Sequence, residues 1–136
     1  MKVAPRQIVS FLAKPPDKIR AVLLHGSDAG LRSSRASHLA ALYSDDLDDV
    51  FSVTRISGSG LHGEAGKIAD AAAEIPMFGT RLVLVKATGA ELLDACKFLL
   101  SRPIHDAMVI IDATDTTTKH ALVKLFETSQ NTAAIG

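Results

Sequence analysis

A short turn after the first apolar segment is the first place where this sequence could bind a phosphate. It reads GSDAGLR over residues 26–32 and follows an apolar run over residues 21–24. In parallel α/β proteins, a turn that opens a helix in this way can bind phosphates through backbone amides, and the P-loop pattern for it is G-x-x-x-x-G-K-[ST]. This turn has one residue too few between Gly26 and Gly30, and Leu31-Arg32 replaces the Lys-Ser/Thr pair. Asp28 would also bring a carboxylate toward the phosphates.

The same residues have a structural interpretation that needs no ligand. Asp28 is of a type that accepts a hydrogen bond from the first turn of a helix, and glycines permit the tight turn before it. Gly26, Asp28 and Gly30 are therefore interpreted as a degenerate, non-functional phosphate loop, with the helix expected to start near Leu31.

An acidic residue after a later apolar run is the second candidate. Residues 108–112 read MVIID, which places Asp112 at the expected end of a buried strand. In a P-loop enzyme such an acid binds Mg²⁺, and in a hydrolysing AAA+ protein a glutamate base follows it, whereas Ala113 follows here. Both halves of an ATPase site are present in outline without their working parts, which predicts a P-loop-type scaffold that no longer hydrolyses nucleotide.

Other catalytic, metal and cofactor sites have no support in the sequence. The histidines do not pair at metal-ligand spacing, Cys96 has no C-x-x-C partner, and no G-x-S-x-G nucleophile motif occurs. Arg32, Arg35 and Arg55 are too scattered to define a basic stripe and are expected on solvated faces. We therefore expect no catalytic residue, no metal and no cofactor.

A connecting segment carries two large apolar residues, Met77 and Phe78, next to Ile75 and Pro76. Pro76 is expected to end the preceding helix, which would run to Glu74, and an apolar strand follows the segment. Connections usually run over the surface, so the Met-Phe pair either packs beneath the sheet or projects toward a partner. Residue type alone favours burial, because large apolar residues are more often inside.

Composition limits the class of protein. The chain has 136 residues, enough for one domain, and its 15 basic and 15 acidic residues give no electrostatic case for nucleic-acid or membrane binding. No apolar run is long enough to cross a bilayer, and the amino-terminal segment does not fit a secretory signal. A single cysteine, expected in the core, is typical of a reducing compartment, so we expect a cytoplasmic protein without membrane partners.

Apolar runs alternate with helical patterns of about ten residues, which predicts a three-layer α/β fold: a mainly parallel sheet of about five strands with helices on both faces. A flexible connection is expected at residues 58–60, and residues 116–118 offer threonine caps for the last helix. The chain stops on a strand pattern, which suggests a single domain, residues 1–136, cut from a longer protein. The strands are expected at residues 21–25, 51–56, 82–85, 107–111 and 132–136, and the helices at 5–12, 31–43, 65–74, 90–100 and 119–129.

Four stretches together are similar to a known family. The order and spacing of these stretches resemble the amino-terminal domain of the delta-subunit family of bacterial DNA polymerase III, the clamp-loader subunits that open the sliding clamp. The likeness spans nearly the whole chain and implies an AAA+-like fold that does not use ATP productively. The stretches are AVLLHGSDAGLRSSRA (21–36), EIPMFGTRLVLVK (74–86), AMVIIDATD (107–115) and KHALVKLFE (119–127).

The resemblance also implies partners and a binding site. In that family an apolar residue followed by Phe inserts into a hydrophobic pocket of the sliding clamp (the beta subunit). By position these residues are Met77 and Phe78, with Ile75 and Pro76 shaping the loop, and methionine stands where the family usually has leucine. Helical lid and collar domains would follow Gly136 and would assemble with the other loader subunits. The chain would meet DNA only indirectly, as a non-catalytic part of a nucleotidyltransferase complex.

Three other functions stay open at this point. A small P-loop-type nucleotide-binding enzyme would show affinity for Mg-ATP. A delta-prime subunit would typically have zinc-binding cysteines in this domain, and the single Cys96 speaks against that. A generic α/β protein-interaction domain would use the apolar loop for another partner.

Overall fold

A computed structural model describes residues 1–76 and 79–136. Within these residues, five strands form one sheet in the order β2-β3-β4-β1-β5, and every neighbouring pair runs parallel. The strands are β1 (Ala21–Leu24), β2 (Val53–Ser57), β3 (Arg81–Thr88), β4 (Ala107–Thr114) and β5 (Thr132–Ile135). The helices are α1 (Ile8–Ala13), α2 (Ala29–Tyr43), α3 (Gly58–Leu61), α4 (Lys67–Ala73), α5 (Gly89–Leu99) and α6 (Ala121–Thr128), with a 3-10 turn at Pro5–Gln7.

Helices cover both faces of the sheet, and alternate strand residues point to opposite faces. Val83 and Val109 pack on the face covered by α3, α4, α5 and α6. Their neighbours Leu82 and Met108 pack on the face covered by α1 and α2. Strands buried on both faces need apolar side chains throughout, which is why the runs in the sequence are continuous. The predicted three-layer fold with a parallel sheet is confirmed.

No helix in the described ranges is both long enough and apolar enough to cross a membrane.

Two connections differ from the sequence-based expectation. Residues 58–60 were expected to be a flexible connection, but they belong to the short helix α3. The last helix begins at Ala121, and its cap is His120, whose Nδ1 accepts a hydrogen bond from the Leu122 amide at 3.1 Å. The threonine caps proposed at residues 116–118 are therefore wrong, because the imidazole of His120 already satisfies a free amide of the first turn.

The start of β2 also differs. Phe51 was expected in this strand, but the strand begins at Val53, and Phe51 lies in the preceding turn and is 72% exposed. Asp49 forms that turn: its Oδ1 accepts a hydrogen bond from the Phe51 amide at 3.0 Å, and its backbone oxygen accepts one from the Val53 amide at 2.9 Å. Aspartate bonds of this kind compete with strand pairing, so they place Phe51 outside the sheet.

Candidate functional site

The turn after β1 is shaped as an ordinary helix start. Asp28 is the N-cap of α2, and its Oδ1 accepts a hydrogen bond from the Leu31 amide at 3.0 Å. This confirms the capping role expected for Asp28. Gly26 has a φ of +114°, which favours glycine, and its amide donates to the carbonyl of Thr116 at 3.3 Å. Gly30 already lies inside α2, so the turn is shorter than the sequence pattern suggests.

The turn after β1 and Asp112, which the sequence predicted to be the two halves of a degenerate nucleotide site, are joined by a buried ion pair. Arg32 Nε lies 2.7 Å from Asp112 Oδ1, and both residues are only 7% exposed. A second guanidinium nitrogen of Arg32 donates to the Gly26 carbonyl. The expectation that Arg32 lies on a solvated face is wrong. Its position in the first turn of α2 brings it over the end of β1, where Leu24 pairs with Asp112 of β4.

This ion pair determines what the Asp112 carboxylate can do chemically. Asp112 lies inside β4, two positions before the strand ends at Thr114, and not at the strand end as expected. In an ATPase its carboxylate would face a metal ion, whereas here it faces the guanidinium of Arg32. A buried charge is stable only when it is paired, so this arrangement neutralises the acid within the protein itself.

A groove of about 530 Å³ lies next to the ion pair, on the α2 face of β2 and β3. Arg55 and Lys86 contribute exposed cations to its wall, which agrees with the solvated position expected for Arg55. Arg55 also donates to the Leu47 carbonyl at 3.3 Å. The groove places polar and cationic groups at the carboxyl edge of the sheet, where open α/β folds bind ligands, but no phosphate-binding motif faces it.

The apolar segment lies at the opposite edge, between the end of α4 and the start of β3. Glu74 is the C-cap of α4, as Pro76 predicted, and Ile75 is 87% exposed. Met77 and Phe78, for which the sequence left both burial and partner binding open, lie outside the described residues. Ile75 and Gly79, which lie on either side of that pair in the sequence, are exposed.

Arg81 anchors the base of this segment, a role that the sequence reasoning missed. The side chain is 7% exposed, and its guanidinium bonds at once to two backbone carbonyls, a threonine hydroxyl and a carboxylate. A lone arginine opening an otherwise apolar strand was the signal in the sequence, because a buried guanidinium needs several acceptors. The partners are the Ala71 carbonyl at 3.0 Å, the Phe51 carbonyl at 3.1 Å, the Thr54 hydroxyl and Glu74 Oε2 at 2.7 Å.

A second groove, of about 620 Å³, separates the end of the apolar segment from the turn before β2. Gly79 and Thr80 line it on one side, and Phe51 and Ser52 on the other. Its rim is acidic, with aspartates from the connection between α2 and β2. The rim aspartates are Asp45, Asp46 and Asp49.

His25 and Cys96 are two further titratable groups in the core, and burial shifts the pKa of each. His25, at the end of β1, is 6% exposed, and burial lowers its pKa. Burial raises the pKa of the Cys96 thiol to about 12, as fits the core position predicted for this residue. Among the residues that the structure describes, no three histidine, cysteine, aspartate or glutamate side chains come together as a metal site would require.

Comparison with solved structures shows a likeness in fold. No protein-family model matches the sequence, and no curated protein gives a significant match. The chain is similar to a solved structure described as a DNA polymerase III, gamma subunit-related protein from Thermotoga maritima, with a TM-score of 0.60 and 13% sequence identity. The match covers 96% of this chain and 45% of that one, so this chain spans less than half of that protein's length. At this low identity the likeness concerns the fold alone: this chain shares the α/β fold of that structure.

Proposed function

We propose that this chain is a non-catalytic clamp-loader subunit that binds the bacterial sliding clamp through residues 75–78 and helps to open the ring. The observation that carries the proposal is the anchoring of this segment by Arg81, which binds the Glu74 carboxylate at 2.7 Å while Ile75 just beyond it is 87% exposed. The fold, which is similar to that of a DNA polymerase III gamma subunit-related protein, supports the same function.

A fixed base is useful for a short binding segment. Binding an apolar loop costs conformational entropy, and a loop whose ends are already held loses less of it. In the proposed complex, Met77 and Phe78 are the anchors, with Ile75 and Pro76 beside them. Buried apolar anchors can each contribute about 2 kcal/mol or more to an interface. Methionine in place of the usual leucine conserves side-chain volume, so the binding mode is retained.

Ring opening then requires no chemistry in this chain. If residues 75–78 fit the clamp better when a nearby ring interface is distorted, binding shifts the clamp toward its open state. The shift is limited by the difference in affinity for the two states. In this proposal the other loader subunits assemble with domains that follow residue 136, and DNA is contacted through the assembled complex.

The non-catalytic part of the proposal is supported by the ion pair between Arg32 and Asp112. The acid that would bind Mg²⁺ is paired with a guanidinium at 2.7 Å, and Ala113 occupies the position of the glutamate base. A ligand that binds only the folded chain raises its melting temperature. We therefore expect Mg-ATP to leave the melting temperature unchanged, and a clear upward shift would favour the nucleotide-binding enzyme instead.

The clamp-binding part is tested with the double variant Met77→Ala/Phe78→Ala. Surface plasmon resonance on the immobilised sliding clamp of the same organism should show binding by the wild type and a loss of roughly 1000-fold in the variant, the equivalent of two such anchors. Val9→Ala, at an 81% exposed apolar position in α1, is the matched control and should bind as the wild type does.

The melting temperature separates the two ways in which this proposal can fail. A folded double variant that binds the clamp with wild-type affinity contradicts the proposed site. A double variant that no longer folds indicates that residues 77 and 78 are needed by the core. That result would support packing of these two side chains beneath the sheet, the interpretation that their residue types alone favour.

A further inference from the structure

We propose that the turn at Val50 and Phe51 is a second element of the clamp-docking surface. The partner surface would then offer an apolar contact for this turn, beside the pocket for residues 75–78, and basic side chains toward the acidic connection that precedes it. This inference rests on the proposed function and specifies the chemistry of its partner.

Val50 and Phe51 are held outward by a defined backbone. Their exposed fractions are 77% and 72%, close to the 87% of Ile75. Both backbone polar groups of Phe51 are bonded: the amide donates to Asp49 Oδ1 at 3.0 Å, and the carbonyl accepts from Arg81 Nη1 at 3.1 Å. An aromatic ring left in water by a well-bonded turn is typical of an interface anchor, because large aromatic side chains dominate binding energies.

Arg81 couples this turn to the apolar segment. One guanidinium binds the Phe51 carbonyl and the Glu74 carboxylate, so the two surface elements share an anchor. The groove of about 620 Å³ lies between them, with Phe51 on one wall and Gly79 on the other. A partner that receives residues 75–78 will therefore meet the Val50-Phe51 turn at the same edge of the sheet.

Charge indicates what surrounds the partner's apolar surface. The connection from α2 to β2 contains four aspartates, and no lysine or arginine of the described part of the chain forms an ion pair with them. Asp46 and Asp49 accept hydrogen bonds from the amides of Asp48 and Phe51 and so hold the turn. The carboxylates of Asp45 and Asp48 are exposed and form no such bonds within the described residues. The whole chain has no net charge, so this acidity is local and complements a basic rim on the partner.

The test compares variants for binding to the immobilised sliding clamp of the same organism. Val50→Ser/Phe51→Ser should weaken binding about tenfold or more, as expected for a lost aromatic anchor, and should leave the melting temperature unchanged because both side chains are exposed. Val9→Ser is the control, since Val9 follows the amino-terminal segment that pairs with β5, at the sheet edge opposite β2. Its affinity should equal that of the wild type.

The charge component has its own readout. Asp45→Asn/Asp48→Asn should lower the association rate at low salt and reduce its dependence on ionic strength, because a rim charge acts mainly on encounter. The turn itself should persist, since Asp46 and Asp49 supply its side-chain bonds. If this variant associates with the clamp as fast as the wild type does at low salt, the proposal of a basic rim on the partner is wrong.

The outcomes distinguish this inference from the proposed function. If the Val50→Ser/Phe51→Ser variant binds as the wild type does, while the Met77→Ala/Phe78→Ala variant loses binding, the second contact is wrong and the proposed function stands. If the wild-type chain does not bind the clamp, the proposed function fails and the inference fails with it. If both double variants lose affinity and stay folded, the two-part surface is supported.

Discussion

The Arg81 guanidinium and the Glu74 carboxylate lie 2.7 Å apart and close the base of the apolar segment, yet they are unequally buried. The arginine side chain is 7% exposed and the glutamate side chain 61% exposed. An exposed carboxylate contributes little to an ion pair, whereas a buried guanidinium leaves its other acceptors unsatisfied when it is removed. The strength of the anchor therefore comes mainly from the backbone carbonyls that Arg81 binds.

This asymmetry predicts unequal effects of mutation. Arg81→Met should lower the free energy of unfolding by about 2–3 kcal/mol, because the carbonyls of Ala71 and Phe51 lose their donor. Glu74→Gln should change it by less than about 1 kcal/mol. Urea unfolding followed by circular dichroism measures both values. Equal losses in the two variants would show that the ion pair itself, and not the carbonyl contacts, stabilises the base.

The buried pair of Arg32 and Asp112 predicts strong coupling. Arg32→Met leaves a buried carboxylate without its cation and should cost about 3–5 kcal/mol of stability. Asp112→Leu leaves the guanidinium unpaired and should cost a similar amount. The double variant should be more stable than the sum of the single losses predicts, by roughly 1–3 kcal/mol, since no unpaired charge is left. Additive losses in the denaturation experiment would contradict the pairing.

Gly26 and Gly30, near the start of α2, should respond in opposite ways to substitution by alanine. Gly30 lies in α2, and an added Cβ would be 3.5 Å from Asp28 Oδ1, an ordinary contact, so Gly30→Ala should stabilise the chain by up to about 1 kcal/mol. Gly26 has a φ of +114°, so Gly26→Ala should destabilise it by more than about 1 kcal/mol. Thermal unfolding distinguishes these results. A destabilising Gly30→Ala would indicate a constraint on that position beyond helix formation.

His25 should make stability depend on pH. Burial disfavours the imidazolium and lowers the pKa of His25 in the folded chain, so the unfolded chain takes up a proton first as the pH falls. The stability contributed by the neutral imidazole is present above the unfolded pKa of about 6.5 and is lost as the pH falls below it. His25→Phe removes this proton uptake. Unfolding measured between about pH 7 and about pH 5 should show a smaller loss of stability in the variant, and an equal loss would contradict the assignment.

The sheet was predictable because its signal is local. Continuous apolar runs such as residues 107–111 have few alternatives to a strand covered on both faces, and the helical patterns between them imply parallel pairing. Asp28 was predictable for the same reason, since a cap depends on neighbours within one turn.

The failures at Arg32 and Arg81 involve partners that are distant in the sequence. Arg32 was placed on the surface because its partner, Asp112, is 80 residues away, and no local pattern links the two. Arg81 was missed because its acceptors come from three separate elements. Phe51 was assigned to a strand because its apolar side chain continued the pattern of Val53, although the Asp49 turn excludes it from the sheet. The structural interpretation of Met77 and Phe78 stays a prediction.

The strand order has a consequence for synthesis. β1 lies between β4 and β5, so both strands that pair with it are made from residues 107–135, long after residues 21–24 have left the ribosome. Until then the nascent chain exposes an apolar strand with two open edges, a state that is prone to wrong pairing. Its correct pairing also requires long-range contacts, which form slowly. Before residues 107–114 have been made, β1 therefore has no native partner in the sheet.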